Sequence, residues 1–523
     1  MHYQLSISKS DMKNDKKIFK DCFLFIMILF VLCGCAKKKE DVTYTKLSDF
    51  NGKKIGVATG TIQAQMVEKE IPDAEILYYN GATDLFNALI QGKVDAIADS
   101  DILARYRGAD IEGMTFCEEY LSDPVEVGAI FSKTEKGNYI RAQFNEYLAE
   151  IIKDGTIKEI DEIWYGKDNE KKVVKDPSSL PDINGTLKLA TDASIPPGSY
   201  ISNNQVVGID IDIATRFCEA YGYGLEIVSV NFSSLVETVN TSKCDFGIGC
   251  IAITAERAES VNFSDSMYTG SSVVVYLKDT GKESVSFAQY LRDSFNKTFI
   301  VEDRWKLFVE GVGTTLLITV LSLLFGTALG FVVYLLNRHD DVIINKITDI
   351  SLYLIQGTPV VVLLMIIYYI IFGNVNISGI AVSVICFTII YACSVFGMLS
   401  NAINTIDKGQ YEAAYSLGYS DNKAFFSVIL PQALPFFMPV YKAEITTLIK
   451  ATAIVGYVAV EDLTKMGDMV RSITFDAFFP LIVVAVMYYV MAAVLTAIVN
   501  RIDIYFDPRK RSEEDIIKKY EIR

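Results

Sequence analysis

Hydrophobic and polar residues change their spacing twice along this chain, and the changes divide its 523 residues into three regions. Residues 22–32 form an unbroken apolar run, too short to span a bilayer, for which about 20 residues are needed. Between residues 43 and 280, short apolar runs alternate with stretches of helical period, which predicts an α/β fold with parallel strands. Residues 300–505 contain long apolar stretches, which predict membrane spans.

The first region has the features of an export signal. Lysines within residues 11–21 precede the apolar run, which ends at Leu32-Cys33-Gly34-Cys35 before a polar stretch. A basic segment followed by a short apolar core is typical of a signal peptide. Residues 1–35 resemble a bacterial lipoprotein signal, which implies that Cys35 is lipidated. An uncleaved anchor with two incidental cysteines is the alternative, and both interpretations put the following domain outside the membrane.

The composition fits a soluble part joined to a membrane part, because 51% of the residues are hydrophobic while 22% are charged. A net charge of −15 argues against nucleic-acid binding, which needs a basic face. The two histidines, His2 and His339, are too few for histidine triads or multi-histidine metal sites, so enzyme chemistry and a metal are not expected. A disulfide between Cys244 and either Cys218 or Cys250 is one possibility for the exported part, and buried free thiols are the other.

The membrane region holds about five candidate spans, at residues 311–336, 349–372, 379–400, 436–460 and 477–499. Basic residues lie between the first and second spans and again beyond the last, which predicts that both segments are cytoplasmic. Five spans then leave the N-terminal end of this region outside, on the side where the exported domain is expected.

Two blocks of the exported region resemble the two halves of one known domain. The block from Asn184 to Asp279 carries Thr191-Asp192-Ala193, Gly208-Ile209-Asp210-Ile211-Asp212 and Thr254-Ala255-Glu256-Arg257. It resembles the N-terminal half of the periplasmic polar amino acid binding proteins, which have a two-lobed type II fold. The block from Lys46 to Gly166 carries Thr59-Gly60-Thr61, Gly92-Lys93-Val94-Asp95-Ala96 and Trp164-Tyr165-Gly166 and resembles the C-terminal half.

The two halves stand in swapped order, which predicts a circular permutation in which residues 167–185 join the original ends. Two truncated copies of the domain are the alternative. Residues 167–185 are charged and then rich in proline and serine, as expected of a linker.

A zwitterionic amino acid needs a cation for its carboxylate and an acceptor for its ammonium group. Arg257 lies in a loop after an apolar strand, where its guanidinium could bind the carboxylate. Gly60-Thr61 precede a helix, so their N–H groups and the Thr61 hydroxyl could also donate hydrogen bonds to it. The resemblance implies that Phe232 stacks on the ligand, while Asp192 is either a ligand or a structural carboxylate. The predicted amino acid site comprises Arg257, Thr61, Gly60, Phe232, Asp192, Gly249, Ala252 and Asp99.

Two departures from the family leave the ligand open. The family's second stacking aromatic is Ile195 here, and its amine-binding aspartate falls on Ser100. Asp99 and Asp101 flank Ser100, but strand alternation predicts that both carboxylates point to the opposite face. The sequence therefore leaves the contact to the α-amino group open.

The loop after the third span is similar to the EAA signature of ABC importer permeases. It carries Glu412-Ala413-Ala414, then Gly418, then Leu430-Pro431. In that family the loop docks on the ATPase subunit. The sequence contains no GxxxxGK[ST] phosphate loop, so a separate ABC ATPase is expected to use the ATP and no cofactor is expected in this chain. One permease segment implies a second copy or a related permease as partner.

The sequence therefore predicts a two-lobed α/β binding-protein fold of type II followed by an all-α transmembrane permease. Its predicted divisions are 1–35 signal, 43–166 and 186–279 binding halves, 167–185 linker, 280–308 connector, 309–505 permease and 506–523 cytoplasmic tail. The predicted function is the binding and permease subunit of an ATP-driven amino acid importer of the plasma membrane. The alternatives are a membrane sensor and an accessory permease with a degenerate site.

Overall fold

The computed structural model describes residues 43–108, 111–166, 168–278, 287–338, 342–373, 375, 377–474, 476 and 478–506. The predicted signal with Cys35 and the tail from residue 507 onward lie outside these described residues. Two α/β lobes come first in the chain and a helical membrane region follows, which is the predicted fold class.

The strands are β1 (Lys54–Ala58), β2 (Glu75–Tyr79), β3 (Ala96–Ser100), β4 (Met114–Phe116), β5 (Val125–Val127), β6 (Ile130–Phe131), β7 (Thr186–Thr191), β8 (Ser194–Ile195), β9 (Ser199–Ser202), β10 (Gln205–Val207), β11 (Gly224–Ser229), β12 (Phe246–Gly247), β13 (Asn262–Phe263), β14 (Tyr268–Gly270) and β15 (Ser272–Leu277). The helices of the two lobes are α1 (Gln63–Glu70), α2 (Ala82–Ile90), α3 (Asp101–Gly108), α4 (Glu135–Asp154), α5 (Thr156–Tyr165), α6 (Ile209–Ala220), α7 (Leu235–Asn240) and α8 (Ala255–Ser260).

The helices that follow the lobes are α9 (Phe287–Phe295), α10 (Trp305–Asn337), α11 (Val342–Gly357), α12 (Val360–Met365), α13 (Gly379–Asn404), α14 (Gly409–Ser416), α15 (Asp421–Ala424), α16 (Leu430–Ala451), α17 (Leu463–Thr474) and α18 (Phe479–Phe506). A 3₁₀ segment, Thr452–Val458, continues α16.

The sheet of the first lobe has the strand order β2-β1-β3-β15-β4, and that of the second lobe β11-β7-β12-β6-β13. In both, the central pairs are parallel, with β1 between β2 and β3 and β7 between β11 and β12. Each sheet also takes one antiparallel strand from the other half of the chain, β15 in the first lobe and β6 in the second. The blocks on either side of residues 167–185 therefore fold together as one two-lobed unit.

The chain passes between the lobes on two strands that lie side by side. These are β5 and β14, which pair antiparallel with Tyr268 opposite Val127. A further antiparallel bridge joins Val127 to Ala252. Because these short crossing strands are the covalent connections between the lobes on this side, they form the floor of the space that separates them.

Helix α4 illustrates how the local sequence sets an element. Its N-terminal residue follows Thr134, whose Oγ1 accepts a hydrogen bond from the Gly137 N–H, and it ends at Gly155 with φ +89°. Ile140, Phe144 and Leu148, which are four residues apart, are buried, but the next core position is Ile151 and Ile152 is exposed. A helix has 3.6 residues per turn, so side chains spaced four apart move steadily away from the starting face. Ile151 is eleven residues after Ile140, and eleven residues return to within about 20° of the starting direction.

Residues 168–185, which connect the two halves of the binding domain, pack against the second lobe. Val174 and Leu180 are buried and join the hydrophobic core of the second lobe, beside Leu187 of β7. The predicted linker therefore connects its two halves while packed on the domain surface.

Among the described residues, four helices are long and apolar enough to cross a membrane: Trp305–Asn337, Gly379–Asn404, Asp421–Val458 and Phe479–Ile504. A fifth span results if the two helices Val342–Gly357 and Val360–Ile371, which are bent by 108° relative to each other, are counted as one. The candidate span predicted at 349–372 falls across this bend. Pro359 at the bend lacks an N–H and disfavours helical backbone in the preceding residue, which explains the break.

The second lobe and the membrane region share a buried core. Ala193 and Ile201 of the lobe pack in one cluster with Leu307, Leu463 and Met466 of the membrane region. The cysteines of the described residues, at positions 117, 218, 244, 250, 386 and 393, are free thiols.

Candidate functional site

A cavity of about 90 Å³ lies between the two lobes above the crossing strands. Since a single water needs about 10–15 Å³ by the same measure, the space fits a small solute rather than a polymer. Six of the predicted site residues line it: Thr61, Asp99, Asp192, Phe232, Ala252 and Arg257. We call this space, with its lining residues, the cleft.

Arg257 links the two lobes across the cleft. Its Nη1 donates to the carbonyl of Ala252 (2.9 Å), and its Nη2 donates to the carbonyl of Gly60 in the other lobe (2.8 Å). The guanidinium carbon lies 5.8 Å from the centre of the Phe232 ring. Burial lowers the pKa of Arg257, but arginine titrates far above neutral pH and the side chain stays charged. Three of its five N–H groups remain for a carboxylate.

Gly60 and Thr61 form the turn that receives Arg257. Gly60 has φ +81°, a backbone conformation that glycine adopts readily, and Thr61 donates its hydroxyl to the carbonyl of Ala58 (2.7 Å). Helix α1 begins two residues later, at Gln63. Two of the predicted residues, Gly60 and Gly249, do not line the cleft themselves. A Cβ at Gly249 would lie 3.2 Å from Leu235.

Asp192 positions other residues of the cleft. Its Oδ1 accepts hydrogen bonds from the backbone N–H and the hydroxyl of Ser194, and its Oδ2 accepts one from the backbone N–H of Phe232 (2.9 Å). The ammonium of Lys465, on α17, lies 3.8 Å from Oδ1. With both oxygens occupied, Asp192 fits the structural alternative better than that of a direct ligand.

Asp99 and Ser100, the last two residues of β3, both line the cleft. Strand alternation does not extend to Asp101, because α3 begins there. Asp101 itself turns away and accepts a hydrogen bond from the N–H of Ser271 (3.2 Å). Of the two aspartates that flank Ser100, Asp99 lines the cleft and Asp101 does not.

Arg107, which stands in none of the sequence motifs, is the counter-ion of Asp99. It is only 2% exposed, its Nη1 lies 3.9 Å from Asp99 Oδ2, and neither of these atoms has a hydrogen-bond partner. Burial raises the pKa of Asp99, and the charge of Arg107 offsets part of that rise. Arg107 also donates to the carbonyl of Ser194 in the second lobe (3.3 Å). Nothing in the sequence separates it from the exposed Arg105 on the same helix.

Arg107 and Arg257 thus act as reciprocal contacts. Arg107 belongs to the first lobe and donates to a backbone carbonyl of the second, while Arg257 belongs to the second lobe and donates to one of the first. The cleft is closed in this structure by one arginine from each side.

A buried polar group lies behind the cleft. Asp210, in the first turn of α6, is 1% exposed, and neither of its carboxylate oxygens makes a well-aligned hydrogen bond. Burial raises the pKa of Asp210 to about 7, and the nearby backbone of Cys250 offsets only part of this rise. Tyr268 donates its hydroxyl to Cys250 Sγ (3.1 Å), and both line the cleft. Within the described ranges, no group of His, Cys, Asp and Glu side chains is arranged to hold a metal ion.

The predicted ATPase-coupling loop forms two short helices at the far end of the membrane region. Glu412 and Ala413 are exposed on α14, whereas Ala414 is buried. Gly418, with φ +80°, makes the turn toward α15, and Leu430-Pro431 begin α16. The described structure therefore presents Glu412 at a free surface and uses Ala414 for packing.

Arg338, at the end of α10, holds this loop in place. Its guanidinium lies 4.4 Å from the centre of the Phe425 ring and forms an ion pair with Asp421. Asp421 also accepts a hydrogen bond from the hydroxyl of Tyr415 on α14 (2.8 Å).

Two comparisons of the sequence with known proteins agree with this architecture. The profile of the bacterial extracellular solute-binding proteins, family 3, matches residues 187–448. The arginine transport system permease protein ArtQ of Bacillus subtilis is 33% identical over 195 residues, which cover 36% of this chain and 88% of ArtQ. The L-cystine transport system permease protein TcyL of the same organism is 30% identical over 186 residues, which cover 34% of this chain and 78% of TcyL.

Among solved structures, this chain is similar to an amino acid ABC transporter crystallised with histidines. The sequence identity is 27% and the TM-score is 0.36, with 42% of this chain and 99% of that chain covered.

Proposed function

We propose that this chain, which belongs to the bacterial extracellular solute-binding proteins, family 3, captures an amino acid in the cleft and passes it through its own permease region. Its C-terminal region is homologous to amino acid ABC permeases. The observation that carries this proposal is the convergence of Arg257, Asp99 and Phe232 on one closed space between two lobes. A cation, a carboxylate and an aromatic face are what a zwitterion of this size requires.

In the proposed binding mode, the free N–H groups of Arg257 hold the carboxylate of the solute and Asp99 accepts its ammonium group. Phe232 covers the solute from one side and the apolar Ile195 from the other. Oδ2 of Asp99 has no hydrogen-bond partner, so it can accept the ammonium without breaking a hydrogen bond.

We interpret the binding domain as circularly permuted. The family profile begins to match at residue 187, the second residue of β7, and not near residue 43. This is expected if the N-terminal half of the family starts at residue 186 and its C-terminal half occupies residues 43–166. The exchange of β6 and β15 between the sheets fits one rearranged domain better than two truncated copies.

The proposed transport cycle needs partners. A separate ABC ATPase would dock on the loop that carries Glu412, and a second copy of this chain or a related permease would complete the pathway. The binding domain would lie outside the plasma membrane and the C-terminus in the cytoplasm. The second lobe packs on α17 and on the start of α10, which are the ends expected to be extracytoplasmic.

The test is a melting-temperature screen of the full chain in lipid nanodiscs against the common amino acids. A solute at 100 times its Kd stabilises the folded state by about 2.7 kcal/mol, which is visible as a melting shift. Each hit is measured by calorimetry on the wild type, on Arg257→Ala and on Arg105→Ala, an exposed arginine outside the cleft.

Arg257→Ala should weaken binding by roughly 100-fold or more, because hydrogen bonds to a charged group contribute about 1.5–3 kcal/mol each. Arg105→Ala should bind like the wild type. A folded chain that binds no amino acid would reject the importer function in favour of an accessory permease with a degenerate site.

A further inference from the structure

A second cavity lies directly below the cleft, between the lobes and the membrane region. Its volume is about 260 Å³, and we call it the chamber. Asn80, Gly81 and Asp192 line both the cleft and the chamber, so the two spaces adjoin. The lobes form the roof of the chamber, while α17 and the 3₁₀ segment after α16 form its floor.

The chamber is lined by more negative than positive side chains. Among the described residues, its lining includes four aspartates and two cations: Asp84, Asp192, Asp462, Asp468, Lys465 and Arg471. A cavity with excess carboxylate concentrates cations and repels anions.

The two cations are already engaged with the protein. Lys465 donates to Asn231 Oδ1 (3.0 Å) and to the carbonyl of Val230 (3.4 Å). Arg471 donates from Nη1 to Asp468 (2.8 Å) and from Nη2 to Asp84 (2.6 Å), and its buried Nε has no partner. Both cations therefore already have partners in the protein, and the lining keeps an excess of carboxylates.

The carboxylates, in contrast, keep free capacity. The side chains of Asp84 and Asp468 are 41% and 50% exposed, and each contacts Arg471 through one oxygen. An ionised carboxylate accepts up to about four hydrogen bonds, so both can accept more from a ligand. Asp462 differs, because it is fully buried and caps α17 through the N–H groups of Thr464 and Lys465.

We propose that the chamber is a second binding station for the transported solute, where Asp84 and Asp468 hold an ammonium group after it leaves the cleft. This inference rests on the importer function proposed above. It also limits the substrate class, because neutral and basic amino acids carry an ammonium without a surplus negative charge. Acidic amino acids, with two carboxylates, are excluded from the chamber.

The experiment uses the diazirine amino acids L-photo-leucine and L-photo-lysine with the full chain in nanodiscs. After illumination, adducts are mapped by mass spectrometry to the cleft segment 232–257 and to the chamber segment 452–474. Both segments should be labelled in the wild type. A tenfold excess of unlabelled L-glutamine should remove chamber adducts at least fivefold more effectively than L-glutamate.

Two variants test the chamber in different ways. Asp468→Asn removes one acceptor charge without a change of shape, and Gly456→Leu fills the space from its floor. A Cβ at Gly456 would lie 3.9 Å from the nearest atoms of Lys465, so Gly456→Ala fits and is the steric control. Asp303→Asn, at an exposed aspartate away from the chamber, is the charge control.

Asp468→Asn and Gly456→Leu should each lower chamber labelling at least fivefold and leave cleft labelling within twofold, while both controls behave like the wild type. A labelled cleft with an unlabelled chamber, or chamber labelling that neither variant lowers, would overturn the second station and leave the importer function standing. Absence of labelling in both segments would instead reject the two proposals together.

Discussion

Arg471 of the membrane region lies 2.6 Å from Asp84 of the first lobe, a residue 387 positions earlier in the chain. Asp84 is in the first turn of α2, directly after the segment Asn80–Ala82 that lines the cleft. Lys465, on the same helix as Arg471, reaches Asn231 of the second lobe (3.0 Å). One permease helix therefore contacts both lobes, and separation of the lobes must alter at least one of these contacts.

We expect Arg471→Met to loosen the first lobe from the membrane region. The pair is partly exposed at Asp84, so its coupling energy should be about 1 kcal/mol, near the top of the range for solvent-accessible ion pairs. The measurement is hydrogen exchange of the α2 amides in the full chain, as a double-mutant cycle with Asp84→Asn. Arg105→Met is the control. Additive effects of the two substitutions would show that the pair does not couple the lobe to the permease.

Asp99→Asn should weaken solute binding by roughly 30-fold or more, because the ammonium loses its charged acceptor. Asp101→Asn should have little effect on affinity, since Asp101 contacts Ser271 and does not line the cleft. Calorimetry with any solute that binds the wild type distinguishes the two. Equal losses in both variants would contradict the assignment of Asp99.

Asp99 and Asp101 both stand next to Ser100, but only Asp99 lines the cleft, and the sequence does not predict this difference. The motifs around Arg257, Phe232 and Asp192 identify residues that do come together, because each stands at a fixed offset from a strand or helix end. Strand alternation treats Asp99 and Asp101 alike, but β3 ends at Ser100 and the rule does not extend to Asp101. The position of the strand end therefore decides how far the rule applies.

Arg107 and Arg471 stand in no sequence motif that would identify their role. Each acts through a partner that is distant in sequence, Ser194 for Arg107 and Asp84 for Arg471. The chamber likewise cannot be predicted from the sequence, because it is formed by residues of the lobes together with residues of the membrane region. The bend at Pro359, in contrast, could have been predicted, since proline inside an apolar run is a known helix breaker.

Stability should fall as pH rises because of Asp210. Burial raises the pKa of its carboxyl to about 7, above the 3.8 expected when unfolded, so between these values the folded state binds more protons than the unfolded state. The contribution of the neutral acid is complete below pH 3.8 and is lost as pH approaches 7. Asp210→Asn should flatten this slope and raise the melting temperature at pH 8.

The measurement is the melting temperature of the full chain from pH 4 to pH 8, with Asp73→Asn as an exposed control. Asp210→Asn has the same shape and removes only the charge. A variant that melts lower than the wild type at pH 8 would mean that the ionised carboxylate has a stabilising partner in the folded state.

The exposed surface of the coupling loop should control ATP hydrolysis by the proposed ATPase partner. Leu417 is 77% exposed between α14 and α15, beside the exposed Glu412, so both are available for docking. Leu417→Asp and Glu412→Lys should each reduce solute-stimulated ATP hydrolysis at least tenfold, because one removes an apolar contact and the other reverses a charge. Lys346→Gln, an exposed lysine on α11, should leave the rate unchanged.

A substitution at Gly418 should change the conformation of the same loop without removing an exposed contact residue. A Cβ there meets nothing within 4 Å, so the cost of Gly418→Ala comes only from its φ of +80° and amounts to about 1 kcal/mol. The loop is fixed on both sides of this turn, by the burial of Ala414 and by the ion pair of Arg338 with Asp421. Gly418→Ala should therefore reduce ATP hydrolysis severalfold, less than Leu417→Asp, without loss of solute binding in the cleft. An unchanged rate would mean that the loop docks in a conformation other than the one seen here.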